Sequence, residues 1–410
     1  MKKVLAMIMA GGKGERLYPL TRDRAKPAVP FGGAYRIIDF TISNCINSNI
    51  RKIYILTQYR SLSLDRHIQR SWNILSERFG EFVYIIHAQQ RINENWYKGT
   101  ADAIYQNFYT LQQERPDLVL VLSGDHIYKM DYRELINQHL KKKADLTICT
   151  LELDKQHSRE FGVLEINKDH QVIGFQEKPA KPKTIPGKPD SILSNMGIYI
   201  FNTDILVKRL IENAKKADTQ HDFGKNIIPS MLKTDRVFAF PFVDKKSKTP
   251  GYWRDVGTIE AYYEANIDLL SDSKCAGLID PDWPVFTSEK QAAPARISGF
   301  EQRDSHLYGL ATDTIISRGC FINKARIEHS ILSPNVSVGQ YSTIRSSILL
   351  DNTTIGKECK IQNAILDKGL NIPDGTEIGF NLKRDARKYI VTDTGIVVIP
   401  KNTTFLDFGS

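Results

Sequence analysis

The chain has 410 residues, 41% hydrophobic and 25% charged, which suits two or three globular domains and excludes a disordered or fibrous polymer. Fifty-six Lys and Arg against 47 Asp and Glu leave a net charge of +9. Apart from Lys141 to Lys143 and Lys245 to Lys248 the basic residues are scattered, with no basic run interleaved with aromatics, so anionic small substrates are expected and nucleic acid is not.

Val4 to Ala10 form an apolar run that reads as a buried strand. With Met1-Lys2-Lys3 it superficially mimics a signal peptide, but it leads into Gly11-Gly12-Lys13 without an export-type cleavage site. Gly11, Gly12 and Gly14 let backbone N–H groups approach an anion, and Arg16 and Lys26 supply charge to it. The string is not a P-loop, and Leu17 stands where a dinucleotide fingerprint needs its third Gly. The construction suits a nucleoside triphosphate.

Further strands are predicted at Ile53–Thr57, Phe82–His87, Leu118–Ser123 and Leu146–Leu151, with helices over Thr100–Glu114 and Asp131–Lys142 between them. This alternation predicts an α/β, Rossmann-like, mostly parallel sheet with ligands at the carboxyl ends of its strands. Gln89 and Gln90 carry amides that can read a base edge, and Gly99 permits its close approach. Asp125 follows a strand and a Gly; with Asp255, in Tyr252–Thr258, it is expected to share a divalent cation, Mg2+, with phosphate oxygens. In Phe175–Pro179, Glu177 can accept bonds from sugar hydroxyls and Lys178 can meet a sugar phosphate. No Ser-His-Asp or Cys-His arrangement stands out, and phosphoryl transfer from a nucleotide to an already anionic oxygen needs none. A proline-rich surface loop over 179–189 follows, and residues 271–300 read as a linker between a catalytic domain (1–270) and a β-helix (301–410).

The last third changes period. Ile331-Leu332, Ile348-Leu349 and Ile365-Leu366 recur every 17 residues. Val338, Ile355 and Ile372 follow them by seven positions, and Ile344, Ile361 and Ile378 by thirteen; Ile315, Ile322 and Ile327 suggest an earlier rung. An apolar residue about every six positions is the mark of a hexapeptide β-helix, left-handed by analogy with such folds.

Five cysteines, Cys45, Cys149, Cys275, Cys320 and Cys359, form no C-x-x-C pair, which points to a reducing cytoplasm and away from zinc. No apolar stretch approaches membrane-spanning length, so no membrane association is expected.

The GGxGxRL turn followed by Lys26-Pro27 resembles the signature of sugar-nucleotide pyrophosphorylases. The chain as a whole resembles the glucose-1-phosphate adenylyltransferase family, through KPAVPFGG at 26–33, RIIDF at 36–40, AQQR at 88–91, NWYKGTADAI at 95–104, SGDHIYKMDY at 123–132, NMGIY at 195–199, HDFG at 221–224 and YWRDVGT at 252–258. The resemblance implies transfer of AMP from ATP to glucose 1-phosphate, giving ADP-glucose and pyrophosphate at the entry to glycogen or starch-like synthesis, in a cytoplasmic homotetramer controlled by phosphorylated metabolites. It also implies that Gly11 to Gly14, Arg16 and Lys26 hold the phosphates, that Gln89, Gln90 and Gly99 lie near adenine, and that Asp125 and Asp255 hold Mg2+. Tyr97, Gly162, Glu177, Lys178 and Asn195 would line the glucose 1-phosphate site. Asn195 stands where the family commonly has Ser, and Asp23 where many members have a basic residue of the effector site, so a weakened activator response is expected. Two rival readings are an acyltransferase built on the β-helix and a non-catalytic regulatory subunit.

Overall fold

The computed structural model describes residues 2–89, 96–244, 247–271, 278, 280–288, 291–299 and 310–405. A nine-stranded mixed sheet organises the first two thirds. Its parallel part runs Phe82–His87, Lys52–Thr57, Val4–Met9, Leu118–Ser123. Along Val4–Met9 alternate residues enter different cores, Ala6 and Ile8 on one face and Leu5 and Met7 on the other. A strand covered by helices on both faces has no polar side to show, which is why the sequence runs apolar without alternation. The antiparallel part hangs on one long strand, Ser191–Asn202. Its second half pairs with Leu118–Ser123, its first half with Gly162–Ile166, and its other edge with Leu146–Asp154. A register shift between Asn195 and Tyr199, with Gly197 at φ 68°, lets one strand serve these partners. The predicted helix over Thr100–Glu114 is two helices, Thr100–Gln106 and Phe108–Glu114, broken at Asn107, whose Nδ2 donates to Ala103 O and Tyr97 Oη.

The C-terminal part is a three-sided parallel β-helix in the predicted phase. Ile315, Ile331, Ile348 and Ile365 stack in one sheet, Ile322, Val338, Ile355 and Ile372 in the second, and Ile327, Ile344, Ile361 and Ile378 in the third. Arg296–Ser298, inside the 271–300 segment, pairs parallel with Phe321–Asn323. The doubled Ile-Leu positions have a structural cause. Leu332, Leu349 and Leu366 point into the β-helix, whereas Ile348 and Ile365 point out and join Leu17, Leu20, Phe31, Phe40 and Tyr262 in a separate core. One face of the β-helix is thus apolar on both sides because the N-terminal part of the chain covers it. Arg24 Nη2 crosses that joint to both oxygens of Asp367 at 2.9 Å, and Tyr263 Oη donates to Ser346 O at 2.6 Å. Cys45, Cys149, Cys320 and Cys359 are free and buried; Cys275 lies outside the described residues. Among the described residues no helix is long and apolar enough to cross a membrane.

Candidate active site

The carboxyl ends of Val4–Met9, Lys52–Thr57 and Leu118–Ser123 meet at one edge of the sheet, joined by Ala10 N to Leu56 O (2.9 Å) and Gly124 N to Met9 O (3.0 Å). The Gly-rich turn springs from this edge. Gly14 has φ 64°, and a Cβ there would sit 3.0 Å from Thr21 Cγ2, so both conformation and space call for glycine. A Cβ on Gly12 would meet nothing within 4 Å, which leaves its backbone open to a ligand. Beside the turn is a cavity of about 600 Å³, lined by Gly12, Lys13, Gly14, Arg16, Lys26, Asp125 and Gly257 among others. Arg16 reaches the loop that bears Asp255, since a Cβ on Gly257 would lie 3.0 Å from its Nη2.

Asp125 and Asp255 are brought together by the antiparallel pairing of His126–Tyr128 with Trp253–Asp255. Oxygens of both carboxylates and a ring nitrogen of His126 lie within 4.8 Å of one another. Two neighbouring carboxylates, Asp125 of them on the cavity wall, are the donor set that a hard divalent cation takes together with phosphate oxygens, so these residues fit Mg2+. Lys26 Nζ donates to Asp125 Oδ2 and to Asp255 Oδ1, 2.8 Å each. Desolvation opposes charge on Lys26, Asp125 and His126 alike. It pushes Lys26 down, yet the two carboxylates outweigh it and hold the ammonium above the usual lysine range. Burial would likewise raise Asp125, but Lys26 and a hydrogen bond from Ser123 Oγ hold it well below the usual carboxylate range. Burial wins at His126, whose imidazole is pushed below its ordinary value. That ring packs edge-on against Trp253, and neither His126 Nδ1 nor Trp253 Nε1 has a hydrogen-bond partner among the described residues.

The second half of the site lies past the bulge in Ser191–Asn202. A Cβ on Gly197 would sit 3.5 Å from His126 Cε1, which puts the bulge against the Asp125 strand. Asn195 Oδ1 accepts from Gly197 N at 3.0 Å and its Nδ2 donates to Tyr199 Oη at 2.8 Å. A Cβ on Gly162 would lie 2.6 Å from Phe175 Cζ and 3.1 Å from Glu177 Oε2, and one on Gly224 3.4 Å from Glu177 Oε2. Burial raises the Glu177 carboxyl, and the Asp222 charge adds to it. Lys178 adopts φ 48°, an uncommon conformation for lysine, and donates its N–H to Phe161 O at 3.2 Å. Gly99 has no room for a side chain, because a Cβ would overlap the carbonyl oxygens of Gln220 and His221. Tyr97 Oη accepts from Asn107 Nδ2 at 2.8 Å. Gln89 follows the strand Phe82–His87, whose next residue, Ala88, bonds Thr57 O at 2.9 Å; Gln90 lies outside the described residues.

The structure therefore gathers Gly12, Gly14, Arg16, Lys26 and Asp125 around one cavity, joins Asp255 to them through Lys26, and sets Gly162 beside Glu177, with the Gly197 bulge against His126. Two neighbours had no role in the sequence reading, His126 beside the carboxylates and Asp222 beside Glu177. Both occur in strings quoted for the family resemblance, SGDHIYKMDY and HDFG, which was the available signal. Asp23 pairs with Arg22 Nε at 3.2 Å and with Lys401 Nζ at 3.3 Å, so its charge is met from within the chain.

Residues 5–272 match the model of the nucleotidyl transferase family, and 293–399 match that of the GlmU-like C-terminal hexapeptide domain, the left-handed type expected from the repeat. The chain is similar to three proteins named glucose-1-phosphate adenylyltransferase. That of Rhodopirellula baltica is 47% identical over 98% of this chain and 90% of its own. That of Koribacter versatilis is 46% identical over 99% and 97%, and that of Nitrosococcus oceani 47% identical over 97% and 94%. With both domains matched and relatives 46–47% identical over nearly the whole chain, the chain belongs to the glucose-1-phosphate adenylyltransferase family of nucleotidyl transferases.

Proposed function

We propose that the protein transfers AMP from ATP to glucose 1-phosphate, releasing ADP-glucose and pyrophosphate. The observation that supports this most is that Gly12, Gly14, Lys26 and Asp125 line one cavity, with Asp255 tied to Asp125 through Lys26, in a chain of this family. A sugar phosphate oxygen, already anionic, attacks the α-phosphorus of ATP, and the bond from that phosphorus to the bridging oxygen of the β-phosphate breaks. The electron pair leaves with pyrophosphate, so no general base is needed. What the protein must supply is alignment of two polyanions and relief of their charge. Backbone N–H groups of Gly11 to Gly14, with Arg16 and Lys26, hold the triphosphate. Asp125 and Asp255 would hold Mg2+, which when bound neutralises charge on the phosphate oxygens. Gln89, Gln90 and Gly99 border the adenine. Glu177 accepts bonds from glucose hydroxyls, Lys178 meets the sugar phosphate, and Tyr97, Gly162 and Asn195 shape the pocket.

The remaining parts of the reading follow from the family. Residues 1–270 are the catalytic domain, 271–300 the linker, whose Arg296–Ser298 already pairs with the β-helix, and 301–410 the β-helix. The protein works in the cytoplasm as a homotetramer, starts glycogen or starch-like synthesis, and responds to phosphorylated effectors. An acyltransferase reading has less behind it, because the hexapeptide part is joined to a complete nucleotidyl transferase match. The test is product analysis with Mg2+, glucose 1-phosphate and ATP, UTP, dTTP or GTP in turn. ADP-glucose formed from ATP in clear preference supports the reading, and preference for another nucleotide removes the adenylyl assignment.

A further inference from the structure

Lys26 is not turned toward the open phosphate turn. Its ammonium bridges the two carboxylates at 2.8 Å each, with the side chain only 8% exposed. The backbone beneath it is fixed. Lys26 opens the short turn Lys26–Ala28, the preceding Ala25 N–H is tied to Arg60 O at 3.2 Å, and Lys26 Cβ lies 3.2 Å from where a Cβ on Gly14 would be. Above Cβ the stem has free rotations, so the ammonium can move while the backbone stays. Asp125 and Asp255 repel each other, and a pair of carboxylates this close needs a cation to remain together.

Resting on the nucleotidyl-transfer reading, we propose that Lys26 is the internal counter-cation of the site. It holds Asp125 and Asp255 together before substrates bind, and it cedes them to a divalent cation only when triphosphate oxygens are present to receive its ammonium. The one residue then has two successive partners, and its movement couples the two binding events. Metal alone binds poorly because it must displace a contact ion pair, and the other carboxylate on the cavity wall, Glu15, already faces Lys13 Nζ at 3.8 Å. Metal and nucleotide together bind well because every charge then has a partner. A cation that depends on nucleotide for entry also keeps the carboxylates from trapping metal unproductively.

The test uses Mn2+ as probe, its free concentration read by electron paramagnetic resonance, on the full chain without nucleotide. Wild type, Lys26→Met, Lys26→Arg and Lys26→Met/Asp125→Asn are compared. Removing a contact charge should tighten Mn2+ binding by at least about tenfold in Lys26→Met. Lys26→Arg, which keeps the charge, should bind as weakly as wild type, and the double variant should lose the site. Equal affinity of wild type and Lys26→Met, lost in the double variant, overturns the exchange and leaves the metal assignment standing. No Mn2+ uptake by any protein overturns both. Should Lys26→Met fail to fold, wild type decides alone. Mn2+ binding at least about tenfold tighter with a non-hydrolysable ATP analogue than without supports the exchange, and equal affinity overturns it.

Discussion

Arg24 and Asp367 stand 343 positions apart, yet one guanidinium nitrogen lies 2.9 Å from both carboxylate oxygens with both side chains almost wholly buried. The pair spans the seam between the catalytic domain and the β-helix, two residues before Lys26. Arg24→Met leaves a buried carboxylate without its cation and should cost about 3–5 kcal/mol. Adding Asp367→Asn removes that charge while keeping an acceptor for the Lys368 N–H (2.7 Å), and should recover about half of the loss. Chemical denaturation of the three proteins measures both; a double variant no more stable than Arg24→Met would contradict the account.

Lys368 lies in the same seam, with Asp351 Oδ2 at 3.0 Å. Burial pushes its ammonium down to about 8, helped by the Arg36 and Arg24 charges and opposed by Asp351. The sign follows from linkage. The unfolded lysine, near 10.5, holds its proton where the folded one has released it. Stability from this group is therefore complete above about 10.5, falls as pH drops and is gone below about 8. A displacement of this size is worth about 3 kcal/mol. Wild type should gain on Lys368→Arg, which stays charged, as pH rises above 8; parallel stability curves would refute the shift.

Much of this was legible in the sequence because it rests on periodic or local signals. The strand of Val4–Met9, the Gly turn and the 17-residue repeat are short-range patterns. What was not legible lies between distant segments. Nothing in the string Arg24-Ala25-Lys26 says that one cation turns to Asp367 and the other to two carboxylates, because such pairings depend on which segments the fold makes neighbours. The sheet's antiparallel half was hidden for a similar reason: a single strand, Ser191–Asn202, serves several partners through a bulge at Gly197. The doubled Ile-Leu positions gave the repeat but not its meaning, which is that the outer Ile faces another domain.

Gly99→Ala tests the turn before the helix Thr100–Gln106. A methyl there overlaps the Gln220 and His221 carbonyls, so the backbone must part and Ala101 N–H to His221 O (2.9 Å) is strained. A loss of about 1–3 kcal/mol in stability and a rise in KM for nucleotide are expected. Unchanged melting and kinetics would show that the segment yields freely.

Asp222→Asn tests the sugar side. Burial sets the raised Glu177 carboxyl, and the Asp222 charge raises it further, so removing that charge lowers it. If ionised Glu177 receives the glucose hydroxyls, the acid limb of the pH profile of KM for glucose 1-phosphate moves to lower pH. An unmoved limb would assign that titration to another group.

The central claim is adenylyl transfer at Asp125 and Asp255, and isotopic labelling tests it most directly. Purified protein with Mg2+, glucose 1-phosphate and ATP labelled at the α-phosphate should place the label in ADP-glucose, and label at the γ-phosphate should appear in pyrophosphate. Asp125→Asn should reduce both by about 10²-fold or more. Label from the γ-phosphate in the sugar product, or transfer undiminished in Asp125→Asn, would contradict the account.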